Sequence, residues 1–119
     1  MIKKLTDEIS VAPQIKASEL TELAAQGFRS IVCNRPDGES ADQPAFTEIE
    51  RAALAAGLQA RFIPVETGKL SDADAVAFAA TFAELPKPVL AYCRSGTRST
   101  KLWELAQELL RASTVEDAR

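Results

Sequence analysis

Four short apolar runs recur along the chain, and a segment with helical periodicity follows each of them. The runs have the length expected of buried strands, and they occupy residues 9–12, 30–34, 60–65 and 89–93. Between them, apolar residues recur every three or four positions, which predicts amphipathic helices. The pattern therefore predicts a chain in which strands and helices alternate.

Capping residues and helix breakers set the expected ends of the helices. Ser18 is expected to cap the first helix, and Ser71 with Asp74 predicts a capping box at the start of the third. Pro44 fits the first turn of the second helix, and the last helix is expected to begin near Thr100. The predicted helices span residues 18–27, 44–57, 71–85 and 100–112, and residues 113–119 are expected to fray.

Strands separated by helices require crossover connections, which favour parallel pairing. The expected fold is therefore α/β, with three α/β/α layers and a central, mainly parallel sheet of four to five strands. One domain is expected over residues 1–119, with its core in residues 2–112. Ligands bind at the carboxyl ends of parallel strands, so the loops after the second and fourth strands should open on one functional edge.

Composition excludes several functional classes. The net charge of -3 and the pI near 5.0 argue against a surface for nucleic acid or anionic membrane. The chain has no histidine, which excludes catalytic triads and zinc sites that use this residue. No cofactor or metal is expected, and the absence of a leader-like or membrane-spanning apolar run predicts a cytoplasmic location.

The segment from Cys93 to Ser99 carries the main chemical signal. Cys93 ends the most apolar strand, Gly96 lets the backbone approach a ligand, and a helix follows. Loop N–H groups and the positive end of that helix would stabilise both a thiolate and a bound anion. The planar fork of Arg98 can hold two oxygens of an anion, and the Ser99 hydroxyl can donate to sulfur or cap the helix.

The other residues of this loop are expected to bind the substrate anion. These candidates are Arg94, Ser95, Gly96 and Thr97. Arg35, in the polar turn after the second strand, is a weaker candidate for the same role because its turn should lie on the same sheet edge. Cys33 lies within a strand and is more simply interpreted as a buried, inert thiol.

Two families share parts of this pattern. The segment Tyr-Cys-Arg-Ser-Gly-Thr-Arg-Ser resembles the active loop of rhodanese-type sulfurtransferases, in which four residues separate cysteine and arginine. Across residues 2–112, including the block Asn-Arg-Pro-Asp-Gly-Glu, the chain resembles the phosphatase-like domain of the beta-lactamase-hydrolase-like proteins. That resemblance implies the dual-specificity phosphatase fold, and some members of the family are named sulfur transferases.

The loop differs from that of true phosphatases, which have one more residue between cysteine and arginine and a histidine before the cysteine. Tyr92 occupies the histidine position here. By family analogy the shorter loop suits a persulfide on Cys93, passed on to a thiol or another acceptor. One alternative is a phosphatase that forms a phosphocysteine, with Glu66 as a candidate acid. Another is a module that binds phosphate or sulfate without turnover.

Overall fold

A central sheet of five strands organises the residues that the computed structural model describes, which are 1–117, with side chains through residue 112. The strand order is β1-β2-β5-β3-β4. Strand β1 pairs antiparallel with β2, whereas the pairs β2–β5, β5–β3 and β3–β4 are parallel. The strands are β1 Lys3–Lys4, β2 Ile9–Ala12, β3 Ser30–Cys33, β4 Gln59–Phe62 and β5 Val89–Tyr92. This confirms the predicted mainly parallel sheet.

Helices cover both faces of the sheet and give the predicted three layers. They are α1 Leu20–Ala25, α2 Phe46–Ala55, α3 Asp72–Glu84 and α4 Thr97–Asp117, with a 3₁₀ turn at Ala17–Glu19 before α1. Leu23 and Ile49 bring α1 and α2 into one buried cluster, and Phe78 and Leu102 bring α3 and α4 into another. The two apolar clusters lie on opposite faces of β3 and β5, whose side chains alternate between them.

Most predicted elements are confirmed, and the capping box of Ser71 with Asp74 is formed at the start of α3. Other boundaries were wrong. Ser18 lies inside the 3₁₀ turn and caps no helix, and α2 begins at Phe46, after Pro44. The sequence pattern also missed β1, because a two-residue strand has no periodicity to detect.

Helix α4 differs most from its prediction. It begins at Thr97, within the loop that we expected to precede it, and it extends to Asp117 instead of fraying after Ala112. Residues 118 and 119, also expected to fray, lie outside the described part. The early start matters for function, because it brings the first turn of the helix against Cys93.

No helix in the described part of the chain is both long and apolar enough to cross a membrane.

Candidate active site

Cys93 lies between the end of β5 and the start of α4, at the carboxyl edge of the sheet. Its flanking strands β2 and β3 are both parallel to β5, so their following loops reach the same edge. Gly96 turns the chain toward the helix with φ of +90°, a conformation that favours glycine. The Gly96 N–H donates to Cys93 Sγ over 3.0 Å.

The amides of this loop converge on the Cys93 sulfur. Burial on its own would raise the pKa of the thiol, but backbone N–H groups donating from Ser99, Ser95, Arg98 and Gly96 outweigh it. Together they hold the pKa of Cys93 below its ordinary value. The loop amides therefore stabilise a thiolate at Cys93, whereas the binding of a substrate anion by this loop stays a prediction.

A titration of Cys93 should show this stabilisation directly. We expect the ultraviolet absorbance of its thiolate, taken as wild type minus Cys93→Ser, to appear at a lower pH than that of a small peptide thiol. Because the folded-state pKa is lowered, the thiolate stabilises the fold above the unfolded-state pKa, and this contribution disappears as the pH falls through the folded-state pKa. A midpoint at or above that of the peptide thiol would contradict the proposed role of the loop amides.

Arg98 is fixed beside this sulfur by a carboxylate and a backbone carbonyl. Its Nη1 donates to Glu39 Oε2 and to the Val65 carbonyl, each over 2.8 Å, and its Nη2 donates to Glu39 Oε1 over 2.8 Å. The hydrogen bonds to Glu39 are the main reason that the pKa of Arg98 lies above its ordinary value, and the Cys93 sulfur contributes as well. Arg98 is therefore a fixed cation at the rim of the thiolate site.

Glu39 is the site residue that the sequence analysis missed, because we interpreted it as the last residue of a polar turn. Its bonds from Arg98, followed by those from Arg35, hold the pKa of its carboxyl below the ordinary value. Arg35 donates from Nε to Glu39 Oε1 over 3.0 Å, from Nη1 to Gln14 Oε1 and from Nη2 to Ser40 Oγ. All three side-chain nitrogens of Arg35 therefore already donate within the protein. The predicted contact of Arg35 with a substrate stays a prediction.

The Ser99 hydroxyl was expected to donate to the Cys93 sulfur or to cap the last helix, and it does neither. The hydroxyl donates to Asn34 Oδ1 over 2.8 Å, and both residues are fully buried. Because α4 begins at Thr97, Ser99 lies within the helix and is not its N-cap. The part of Ser99 that faces Cys93 is its backbone N–H, while its side chain joins α4 to the end of β3.

A cleft of about 460 Å³ opens beside the loop. The predicted anion-binding residues Arg94, Ser95 and Thr97 line it and are exposed, whereas Gly96 is buried beneath them. Glu66, the candidate acid, also lines the cleft; its carboxylate pairs with Lys69 Nζ over 3.0 Å, and its side chain is 64% exposed. The cleft thus brings together Arg98, three of the anion-binding candidates and the only carboxylate among its described lining residues, whereas Gly96 and Arg35 do not line it.

Cys33 occupies a different environment from Cys93. It pairs with Tyr92 in the register of β3 and β5, and its thiol donates to the Arg35 carbonyl over 3.3 Å. Burial raises the pKa of the Cys33 thiol, as expected for a structural cysteine. Both cysteines are free, and no group of three or more potential metal ligands occurs among the residues the structure describes.

Cys93 lies between a central parallel strand and a helix, with Arg98 completing its loop, and the chain shares its fold with solved phosphatase-like structures, so it is a cysteine-phosphatase-fold protein. The family model for the phosphatase-like domain of beta-lactamase hydrolase-like proteins matches residues 1–110. The chain therefore belongs to this family, which confirms the resemblance seen in its sequence.

Relatives and solved structures agree with this assignment. The chain is 38% identical over 117 residues to the beta-lactamase hydrolase-like protein of Agrobacterium fabrum, covering 96% of this chain and 27% of that protein. A candidate phosphatase from Neisseria meningitidis is 35% identical with a TM-score of 0.81, over 86% of this chain and 72% of the other. Another from Shewanella putrefaciens shares the fold, with 20% identity and a TM-score of 0.78 over 89% and 66% of the two chains.

Proposed function

We propose that this protein is a sulfurtransferase that carries sulfur as a persulfide on Cys93. The observation that carries the proposal is the loop of only four residues between Cys93 and Arg98, in which the Gly96 N–H donates to the Cys93 sulfur over 3.0 Å and the loop amides lower the pKa of its thiol. By analogy with the rhodanese-type loop of the same length, a ring this small suits a persulfide on cysteine, whose negative charge the loop amides would stabilise.

The first half-reaction forms the persulfide. The Cys93 thiolate attacks the outer sulfur of a sulfane donor such as thiosulfate, a new S–S bond forms, and sulfite leaves with the electron pair of the broken bond. Loop amides would stabilise the charge on the persulfide, and the positive charge of Arg98 would stabilise the departing anion. No proton has to be delivered, which agrees with an exposed Glu66 paired to Lys69.

The second half-reaction transfers the outer sulfur of the persulfide to an acceptor. A nucleophilic acceptor, either a thiol or cyanide, attacks the outer persulfide sulfur, and Cys93 leaves as the thiolate that the loop already stabilises. The low pKa thus serves both steps, since the same group is first nucleophile and then leaving group. The thiol acceptor and the cytoplasmic location stay predictions.

A phosphoric monoester hydrolase is the second candidate. It is supported by the candidate phosphatases of the same fold and by Glu66, which lines the cleft together with Arg98. In this reaction Cys93 would take the phosphoryl group, Arg98 would hold its oxygens, and Glu66 would protonate the leaving alcohol. Water would then attack the phosphocysteine, releasing phosphate and returning Cys93 to the thiolate.

One experiment separates the candidates. The protein is incubated with thiosulfate and cyanide, and separately with p-nitrophenyl phosphate, and Cys93 is analysed by mass spectrometry after thiosulfate alone. We expect one added sulfur atom on Cys93 and thiocyanate formation. Phosphate release without added sulfur would favour the hydrolase. If anions raise the unfolding temperature but neither thiocyanate nor phosphate is formed, the remaining candidate is a module that binds phosphate or sulfate without turnover.

A further inference from the structure

The Arg98 guanidinium has five N–H groups, and three of them are already used. Two donate to Glu39 and one to the Val65 carbonyl. The Nε–H and one Nη2–H remain, and both belong to the same edge of the planar group. Arg98 lines the cleft beside the cysteine loop, so these are the N–H groups of its guanidinium that an anion in the cleft would meet.

Glu39 is itself held from the other side. Arg35 donates to the same Oε1 atom that accepts Arg98 Nη2, and the Arg35 side chain is only 5% exposed. The two arginines and the carboxylate thus form a row of alternating charges leading to Cys93. Glu39 gives the buried Arg35 a countercharge, without which burial of the guanidinium would be costly.

The other bonds of Arg35 anchor this row to the fold. Its Nη1 donates to Gln14, whose backbone N–H donates to the Arg94 carbonyl over 3.2 Å. Arg35 therefore connects the loops that follow β2 and β3 with the cysteine loop after β5. A side chain with these bonds and this burial has little capacity to reach a substrate in the cleft.

We infer that Glu39 is a positioning residue that aims the remaining edge of Arg98 at the substrate anion, and that Arg35 acts only through Glu39. The inference rests on the proposed function in so far as it concerns turnover. It also applies without turnover, because the orientation of Arg98 affects the equilibrium binding of an oxyanion.

A double-mutant cycle between Glu39 and Arg98 tests the inference. Glu39→Gln should lower turnover per titrated Cys93 roughly 10- to 100-fold, because a misplaced catalytic group has effects of this size. In an Arg98→Ala background the same substitution should change turnover less than about threefold, since there is no guanidinium left to aim. A full effect in the Arg98→Ala background, or no effect in the wild type, would overturn the role of Glu39.

A second cycle tests Arg35. Arg35→Met should lower turnover in the wild type but add nothing in a Glu39→Gln background. If its effect persists there, Arg35 contacts the substrate directly, as the sequence suggested, and the inference is wrong for this residue. Glu108→Gln, which removes an exposed carboxylate on α4, is the charge-matched control for Glu39→Gln and should leave turnover unchanged.

Equilibrium binding keeps this test independent of the reaction. The same cycles are repeated with Cys93→Ser proteins, and thiosulfate or inorganic phosphate is titrated by calorimetry. The binding stoichiometry is fitted together with the affinity, so that it reports the fraction of protein that is folded and able to bind. Loss of affinity that disappears without Arg98 supports positioning even if the wild type turns over neither substrate. A lower fraction of folded protein with unchanged affinity would show that Glu39 is merely structural, and would overturn the inference.

Discussion

Cys93→Ser is expected to abolish sulfur transfer from thiosulfate to cyanide, with turnover falling roughly 10⁴-fold or more, as happens when a catalytic nucleophile is removed. A serine hydroxyl in the same amide ring keeps its proton at neutral pH, and it is a far weaker nucleophile toward sulfur than a thiolate. The measurement is thiocyanate formation, together with the mass of the protein after thiosulfate alone.

Cys33→Ser is the matched control for this prediction. Cys33 is buried, its thiol pKa is raised, and it lies on the neighbouring strand without a ring of amides. We therefore expect this variant to retain turnover and to gain sulfur on Cys93 as the wild type does. Full activity of Cys93→Ser in both the sulfurtransferase and the phosphatase assays would refute both proposed reactions.

Arg98→Ala is expected to lower turnover on the order of a hundredfold, which corresponds to about 3 kcal/mol of lost transition-state stabilisation. The substitution removes the fixed cation beside the sulfur and leaves the Glu39 carboxylate with Arg35 as its remaining partner among the described residues. Steady-state kinetics with thiosulfate would measure the effect.

Arg98→Lys distinguishes charge from geometry at this position. Lysine keeps the positive charge, but it has no planar fork and cannot donate to both Glu39 oxygens and the Val65 carbonyl with a free edge left over. We expect it to recover only a small part of the lost turnover. Wild-type turnover in the lysine variant would mean that a nearby charge is sufficient and that the orientation of Arg98 is irrelevant.

The sequence predicts the parts of this protein that depend on short-range patterns. The strand that ends at Cys93, the glycine turn and the capping box at Ser71 are local features, and each was found near its predicted position. Parallel pairing followed from chain connectivity, so the shared edge of the loops after β3 and β5 was also predictable.

The residues that were misjudged depend on long-range contacts. Glu39 and Arg98 are 59 positions apart, and nothing in the polar turn indicates that its last carboxylate reaches the cysteine loop. The same holds for Ser99 and Asn34, which are separated by 65 positions. A turn rich in polar residues predicts exposure, whereas the fold places Arg35 inside the protein.

The contacts of Arg98 and Ser99 also fix the rotational phase of α4. Each residue of an α-helix turns by about 100°, so moving either side chain by one position would point it away from its partner. Glu39 and Val65 hold Arg98, and Asn34 holds Ser99. An inserted residue would therefore have to bulge out within residues 94–96, widening the ring around Cys93 while leaving the helix in place. The size of the amide ring around Cys93 and the position of Arg98 can thus change independently. A one-residue insertion in this loop would enlarge the ring without moving Arg98.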